Sequence, residues 1–329
     1  MQILDIILNI LSSGLPCVLL ALGIFLTYRL LDFADLTAEG SFLIGAAVTI
    51  VLIYNGVNAW LATLCAFLSG AVCGLITGIL NRYLKIPKLL SGIITLTASA
   101  SIAMLIMGAA KGNGSFFNAQ LTLEEITKGG STQTIYSMLY PWKFSDVTET
   151  FIVVRPWGDV IKVAVMFAVV FVVLAGVYYF FGTELGMAIR ATGMNEKMAK
   201  SQGINTNFST ILCVSISNAI IALGGALYAQ EAKSVSTVSA TGYLVVGLAS
   251  ILIGEAIFGK RSFKNWLISV SLGSIIYFII VTLATRFGLP PQLKSLLYAI
   301  LITFALCLPL IKKGIMYLFK SHKKEAEAK

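Results

Sequence analysis

The sequence predicts an all-α fold, a polytopic integral membrane helix bundle, and three observations carry that prediction. Of 329 residues, 57% are hydrophobic and 12% charged, against about 25% charge in ordinary soluble domains. The mean hydropathy is +0.89. The apolar residues gather in long runs bounded by charge, Gly or Pro, enough for about nine spans, eight to ten, of roughly 20 residues each. A soluble enzyme with one small anchor is excluded.

Taken in order, the runs are 3–28, 41–54, 59–80, 89–110, 160–181, 209–229, 242–258, 266–284 and 296–311. The first lacks a basic leader and a small-residue cleavage site, so it reads as a retained span. The run 41–54 is short at about 1.5 Å per residue and reads either as a helix tilted with its neighbour's help or as part of a broken element. Gly70, Gly74 and Gly78 recur at four-residue spacing in 59–80 and form one flat face for close helix packing. A long outer loop rich in Thr, Gly and Glu, 111–159, separates two halves, 1–110 and 160–311, of one membrane domain. A polar connector occupies 182–208, and a basic tail follows from 312 to 329.

Basic residues set the orientation, because Lys and Arg are retained on the cytoplasmic side during insertion. If 81–88 is inside, so are 29–40, 182–208, 259–265 and the tail, which together hold 16 of the 24 Lys and Arg. The N-terminus then lies outside and the C-terminus inside, where the tail lysines meet anionic membrane lipid. The net charge of +9 is explained by this bias, and no nucleic-acid partner is expected. Cys17, Cys65, Cys73, Cys213 and Cys307 all lie in apolar stretches, and His322 is the single histidine. No disulfide framework, metal site or catalytic base follows.

The segment 36–47 is similar to 239–249 when Ala38 is laid on Ala240, which superposes Gly40 on Gly242 and Gly45 on Gly247. Glu39 sits just before the first of these glycines. The first copy would run outward and the second inward, the pattern of inverted repeats with broken helices that flank a solute path. Ionisable groups at mid-membrane depth are scarce. Glu255 sits near the end of its run, where pairing with Lys260 or Arg261 is expected, and Asp32, Asp35 and Glu39 fall in a break open to water. That scarcity disfavours an ion-coupled secondary transporter or a channel, the alternative reading, and the lack of a nucleophile–base pair disfavours an intramembrane enzyme. Neutral polar residues, Thr95, Thr97, Ser99, Ser215 and Asn218, are candidates to line a solute path. Hydroxyls in membrane helices also bond their own backbone or a neighbouring helix.

The connector punctuates as two short helices. Glu184 to Thr192 ends at Gly193, where a left-handed stop is expected, and Asn195 caps a second helix closed by Gly203. Glu196 and Lys200 complement the two ends of that helix. The small side chains of Ala188, Ala191 and Ala199 would let a partner protein approach.

The residues Gly186, Ile189, Arg190, Ala191, Gly193, Asn195, Ala199, Gly203 and Ile204 resemble the cytoplasmic loop of permease subunits of bacterial ABC importers. The superfamily is that of branched-chain amino-acid and ribose permeases. Segments 31–42 and 253–263 are similar to the same superfamily, nearest to a branch associated with aromatic amino-acid import. The resemblance implies a transport subunit of the bacterial inner membrane, not an enzyme, that pairs with a second copy as a homodimer. It also implies docking of two cytoplasmic ATPase subunits through the connector, with Arg190, Gly193 and Asn195 supplying contacts or geometry, and delivery of solute by an external, periplasmic binding protein. The chain has no G-x4-G-K-[ST] loop, so ATP and Mg would be held by the partner ATPase and no cofactor by this chain. The implied solute is small and polar, an amino acid.

Overall fold

The computed structural model describes residues 2–111, 120–122, 151–236 and 242–286, together with 300 and 303. Seven of the described helices are long and apolar enough to cross a membrane, and an eighth apolar helix is shorter. Apart from residues 300 and 303, the expected ninth run, 296–311, and the tail lie outside the described residues.

Helix α1 (Gln2–Phe25) widens into a π-helical segment, Leu26–Leu30, and breaks at Asp32, whose φ of 51° is left-handed. Helices α2 (Thr37–Tyr54), α3 (Ala59–Arg82) and α4 (Lys88–Lys111) follow. Next come α5 (Phe151–Phe180), a short pair α6 (Glu184–Met194) and α7 (Glu196–Ser201), and then α8 (Thr206–Ala232). Strand β2 (Ser234–Ser236) pairs antiparallel with β1 (Gln120–Thr122), Leu121 facing Val235 in the register. Helices α9 (Tyr243–Phe258) and α10 (Phe263–Arg286) complete the described chain. The α6–α7 pair sits at one end of α8 and the ribbon at the other. These are called the elbow end and the ribbon end.

Helix α8 is the axis of the bundle. Its contacts with α1 run in opposite order, Ser217 to Gly23 and Cys213 to Leu26, so the two helices are antiparallel. Its contacts with α2 run in the same order, Ser41 to Asn218 and Gly45 to Ala222. On its third side the glycine face of α3 lies flat on it. A Cβ at Gly70 would strike the Asn218 carbonyl, one at Gly74 the Val214 carbonyl, and one at Gly78 would stand 3.0 Å from the Ile211 Cα. Absent side chains let the two backbones touch, which is how helices gain contact where lipid offers no hydrophobic drive. The peripheral faces are the reverse: Leu61, Leu64, Leu68 and Val72 on α3, and Phe167, Phe171 and Val172 on α5, are exposed, as lipid-facing side chains are.

Three expectations change. The second span is 18 residues long, not short, because α2 starts at Thr37, inside what reads in the sequence as the break. The short member is α9, at 16 residues. Helix α5 begins at Phe151, within the segment assigned to the outer loop. Arg155 and Asp159 mark a boundary in the sequence, yet the apolar run at 151–154 carries the helix past them.

The glycine contacts set a contrast. Gly74→Ala, placing a methyl into the α8 backbone, should lower the midpoint of thermal unfolding in detergent by an amount corresponding to about 1–3 kcal/mol. Gly176→Ala in α5, where a Cβ meets nothing within 4 Å, should leave the midpoint unchanged or raise it. Equal effects at the two sites would contradict the packing described.

Candidate functional site

The elbow is built by local capping. Thr183 accepts the Gly186 N–H at the start of α6, and Asn195 accepts the Met198 N–H at the start of α7. Gly203 ends α7 with a φ of 81°. Gly193 departs from its expected role: α6 continues through it to Met194, and its φ is not left-handed. Glycine is required there because a Cβ would collide with the Leu30 carbonyl and stand 2.9 Å from the Leu31 Cα. The elbow thus presses on the chain where α1 ends. Gly186 makes a similar close approach to Phe180 and Phe181.

Side chains tie the elbow to the rest of the bundle. The Arg190 guanidinium donates to the Phe181 carbonyl and lies 4.8 Å from the Phe263 ring centroid at the start of α10. Arg82, at the end of α3, donates to Glu196 at 2.7 Å and to Thr210 at 2.6 Å, and Lys200 meets the same carboxylate at 3.0 Å. Partial burial pulls the Glu196 carboxyl upward, but the bonds from Lys200 and Arg82 outweigh it and hold the group below the ordinary glutamate range. Arg190 therefore faces the bundle. Ala199 is likewise buried and leaves a partner nothing to touch, while Ala191 is half-buried. The exposed elbow surface carries four large apolar side chains, Leu185, Met187, Met198 and Met194, the last 89% exposed, among exposed polar residues that include Lys197 and Lys200. The flexible methionine side chains suit an adaptable protein contact.

Halfway along α8, about 18 Å from its first residue at 1.5 Å per residue, Asn218 joins three segments. It donates to Asp35 Oδ2 at 2.7 Å and to the Val214 carbonyl at 2.9 Å, and accepts from Ser41 at 2.7 Å. Asp35 Oδ1 takes the Thr37 N–H at 2.8 Å, closing the first turn of α2. Asp35 is 5% exposed, which corrects its reading as a solvated break residue. Ser215 donates across to the Ala71 carbonyl at 2.8 Å. The hydroxyls of Thr95, Thr97 and Ser99 bond carbonyls of their own helix, with Thr97 exposed and Thr95 and Ser99 buried. Thr95, Thr97 and Ser99 thus bond within their own helix, while Ser215 and Asn218 bond to neighbouring segments.

The two similar segments meet. Glu39 lies in the first turn of α2, not in a break, and its Oε1 accepts the Gly242 N–H at 3.0 Å and the Leu244 N–H at 3.3 Å. It thereby satisfies two of the free donors at the start of α9 and complements the positive helix end. Gly247 packs on Ile24 of α1, and a Cβ at Gly40 would meet Ser99 of α4. Gly242 is the left-handed residue before α9, with a φ of 91°, whereas Gly40 is inside α2, so the matched glycines do not hold matched backbone positions. Helix α9 follows the direction of α1, Gly247 beside Ile24 and Glu255 beside Arg29, and so runs opposite to α2. At its far end Glu255 pairs with Arg29 at 2.6 Å and accepts from Trp266 Nε1 at 2.8 Å. The paired-acid expectation holds, with Arg29 in place of Lys260 or Arg261. Spacing alone hides this partner, because Arg29 is 226 residues distant. Among the described residues no group of His, Cys, Asp and Glu is placed to hold a metal.

Comparison with known proteins agrees with this architecture. Residues 6–306 match the family described as branched-chain amino acid transport system / permease component. A tyrosine transport system permease protein of Clostridioides difficile is 32% identical over 91% of this chain and 90% of the relative. A probable branched-chain amino acid transport permease of Methanocaldococcus jannaschii is 27% identical over 86% of this chain and 84% of its own length. The ribose import permease of Escherichia coli is 23% identical over 90% and 80%. No solved structure matches. With a family match over most of its length and a relative 32% identical over 91% of it, the chain belongs to the ABC-transporter permeases of the branched-chain amino acid transport family.

Proposed function

We propose that this chain forms the solute path of an ABC importer for an amino acid, and that it couples to separate ATPase subunits through the elbow. The observation that carries the coupling is the elbow's two-sidedness. One side is fixed to α1, α3 and α10 by Gly193, Arg82 and Arg190, while the other exposes Met187, Met194 and Met198. A push on that surface reaches three helices at once. The elbow end is then cytoplasmic, as the Lys and Arg bias requires, with the N-terminus outside and the C-terminus inside. The opposed directions of α2 and α9, joined through Glu39, support a path between inverted halves. A homodimer and an external binding protein complete the assembly, as the family implies. The amino-acid class is supported by the names of two relatives, one for tyrosine and one for branched-chain amino acids.

The buried Asp35 is the observation that suits a cation-coupled carrier. Both of its oxygens are already engaged by Thr37 and Asn218, and the family membership favours the ATP-driven reading.

Met194→Glu with Met198→Glu should weaken co-purification of the cognate ATPase by about tenfold or more, the loss typical of a central apolar contact, and ATP-driven uptake should fall with it. Unchanged complex and uptake would overturn the coupling assignment. The Glu196 anchor has a defined pH sign. Its pKa is depressed by folding, so its contribution is present above the ordinary glutamate range and is lost as pH falls through the lowered value. The protection factors of the α7 amides, corrected for the intrinsic pH dependence of exchange, should therefore fall in acid. Glu196→Gln should show lower protection at neutral pH and no further loss of protection in acid.

A further inference from the structure

The elbow reaches one ion pair from two sides. Arg29, in the π-helical end of α1, donates to Glu255 Oε2 at 2.6 Å, and Trp266 of α10 donates from Nε1 to the other oxygen of that carboxylate, Oε1, at 2.8 Å. From one side, Gly193 of α6 lies against the backbone of Leu30 and Leu31, the residues that follow Arg29. From the other, the Arg190 guanidinium of α6 stands 4.8 Å from the Phe263 ring centroid, and Phe263 precedes Trp266 by three residues, on the same face of α10. The Trp266 ring in turn sits edge-on to Phe25 of α1, with centroids 4.8 Å apart. A shift of α6 therefore moves the Arg29 side and the Glu255 side of the pair through separate contacts. The pair ties the chain before 111–159 to the chain after it, at the elbow end of the bundle.

Two features suit this pair to exchange and not to permanent fastening. The Arg29 side chain is 27% exposed, yet its Nε is buried with no hydrogen-bond partner among the described residues. The bonded arrangement thus holds an unsatisfied donor that separation would return to water. A second cation is also at hand, because exposed Lys260 stands 6.0 Å from the centroid of the same Trp266 ring that touches Glu255. An element with two such arrangements can be biased from a distance. We propose that Arg29, Glu255 and Trp266 form a latch across the inner end of the solute path, closed as seen here and opened when the ATPase draws the elbow away, with Glu255 passing from Arg29 to Lys260. This inference rests on the coupling reading above and adds to it the residues that answer to the elbow.

The test is hydrogen exchange of peptides spanning 250–266, read by mass spectrometry on the full chain in lipid nanodiscs. It is measured on the chain alone and on the chain assembled with its ATPase subunits, with a non-hydrolysable ATP analogue as the probe. In the chain alone, Arg29→Gln and Glu255→Gln should each speed exchange about tenfold, the effect of one charge-assisted bond. Arg29→Lys keeps a charged donor and lacks the idle Nε, so it should retain wild-type exchange and show that position 29 accepts substitution. In the assembled importer the analogue should speed exchange of the same peptides. Phe263→Leu, which removes the ring beside Arg190, should abolish that response and leave the exchange of the chain alone as it was. Unaltered exchange in both Gln variants would overturn the latch. So would wild-type exchange that ignores the analogue while the ATPase is bound, since a fixed staple behaves that way. A chain that binds no ATPase, yet loosens in the Gln variants and holds in Arg29→Lys, would sink the importer reading and uphold the pair as a closure. ATPase binding and ATP-driven uptake with exchange unmoved would do the opposite.

Discussion

Asn218 is the bond on which the arrangement of this bundle depends. In hydrocarbon every polar group must find a partner within the protein, and apolar side chains have no reason to prefer one helix over another or over lipid. Helix position is therefore set by backbone approach and by polar bonds. Helix α8 supplies both within four residues: Ser215 reaches α3, Ser217 reaches α1, and Asn218 reaches α2 and the break before it. Asn218 also determines what becomes of Asp35, whose carboxylate is tolerable at that depth because an amide and a backbone N–H meet it. The start of α2 is thereby held mid-bundle, which carries Glu39 to the start of α9.

The helices and their order were legible in the sequence because a membrane span advertises itself by length and hydropathy alone. The elbow was legible for a different reason: Asn195 and Gly203 act within a few residues of themselves, so their capping chemistry reads directly from spacing. What could not be read depended on distant partners. Gly193 looks like a helix stop, but its demand comes from Leu30, and Asp35 looks solvated until Asn218, 183 residues away, is seen to receive it. The hydroxyls of Thr95, Thr97 and Ser99 look like a polar path, yet a hydroxyl three or four residues from a carbonyl in the same helix already has an acceptor.

Glu39 and Glu255 bracket α9. One carboxylate takes the free donors at its start, and the other is bound to Arg29, which stands in the π-helical stretch at the end of α1. A π-helical turn leaves the backbone ladder locally rearranged and is frequent at functional sites. Here it sets Arg29 against α9 just before the chain turns back toward mid-depth, so the polar contacts of the shortest apolar helix lie at its ends. Along its length α9 rests on α10, with Gly254 against the Ser269 carbonyl and Gly273 against the Ser250 carbonyl.

The glycine face of α3 has a mechanical corollary. Two helices whose side chains interleave can shear past each other by small rotamer changes, but α3 and α8 meet backbone to backbone at Gly70 and Gly74, where nothing is soft enough to yield. Gly45 locks α2 to α8 in the same way. These three helices therefore form a single stiff slab. At the seam between α2 and α9, by contrast, the joining bonds come from the Glu39 side chain and can be exchanged without disturbing that slab.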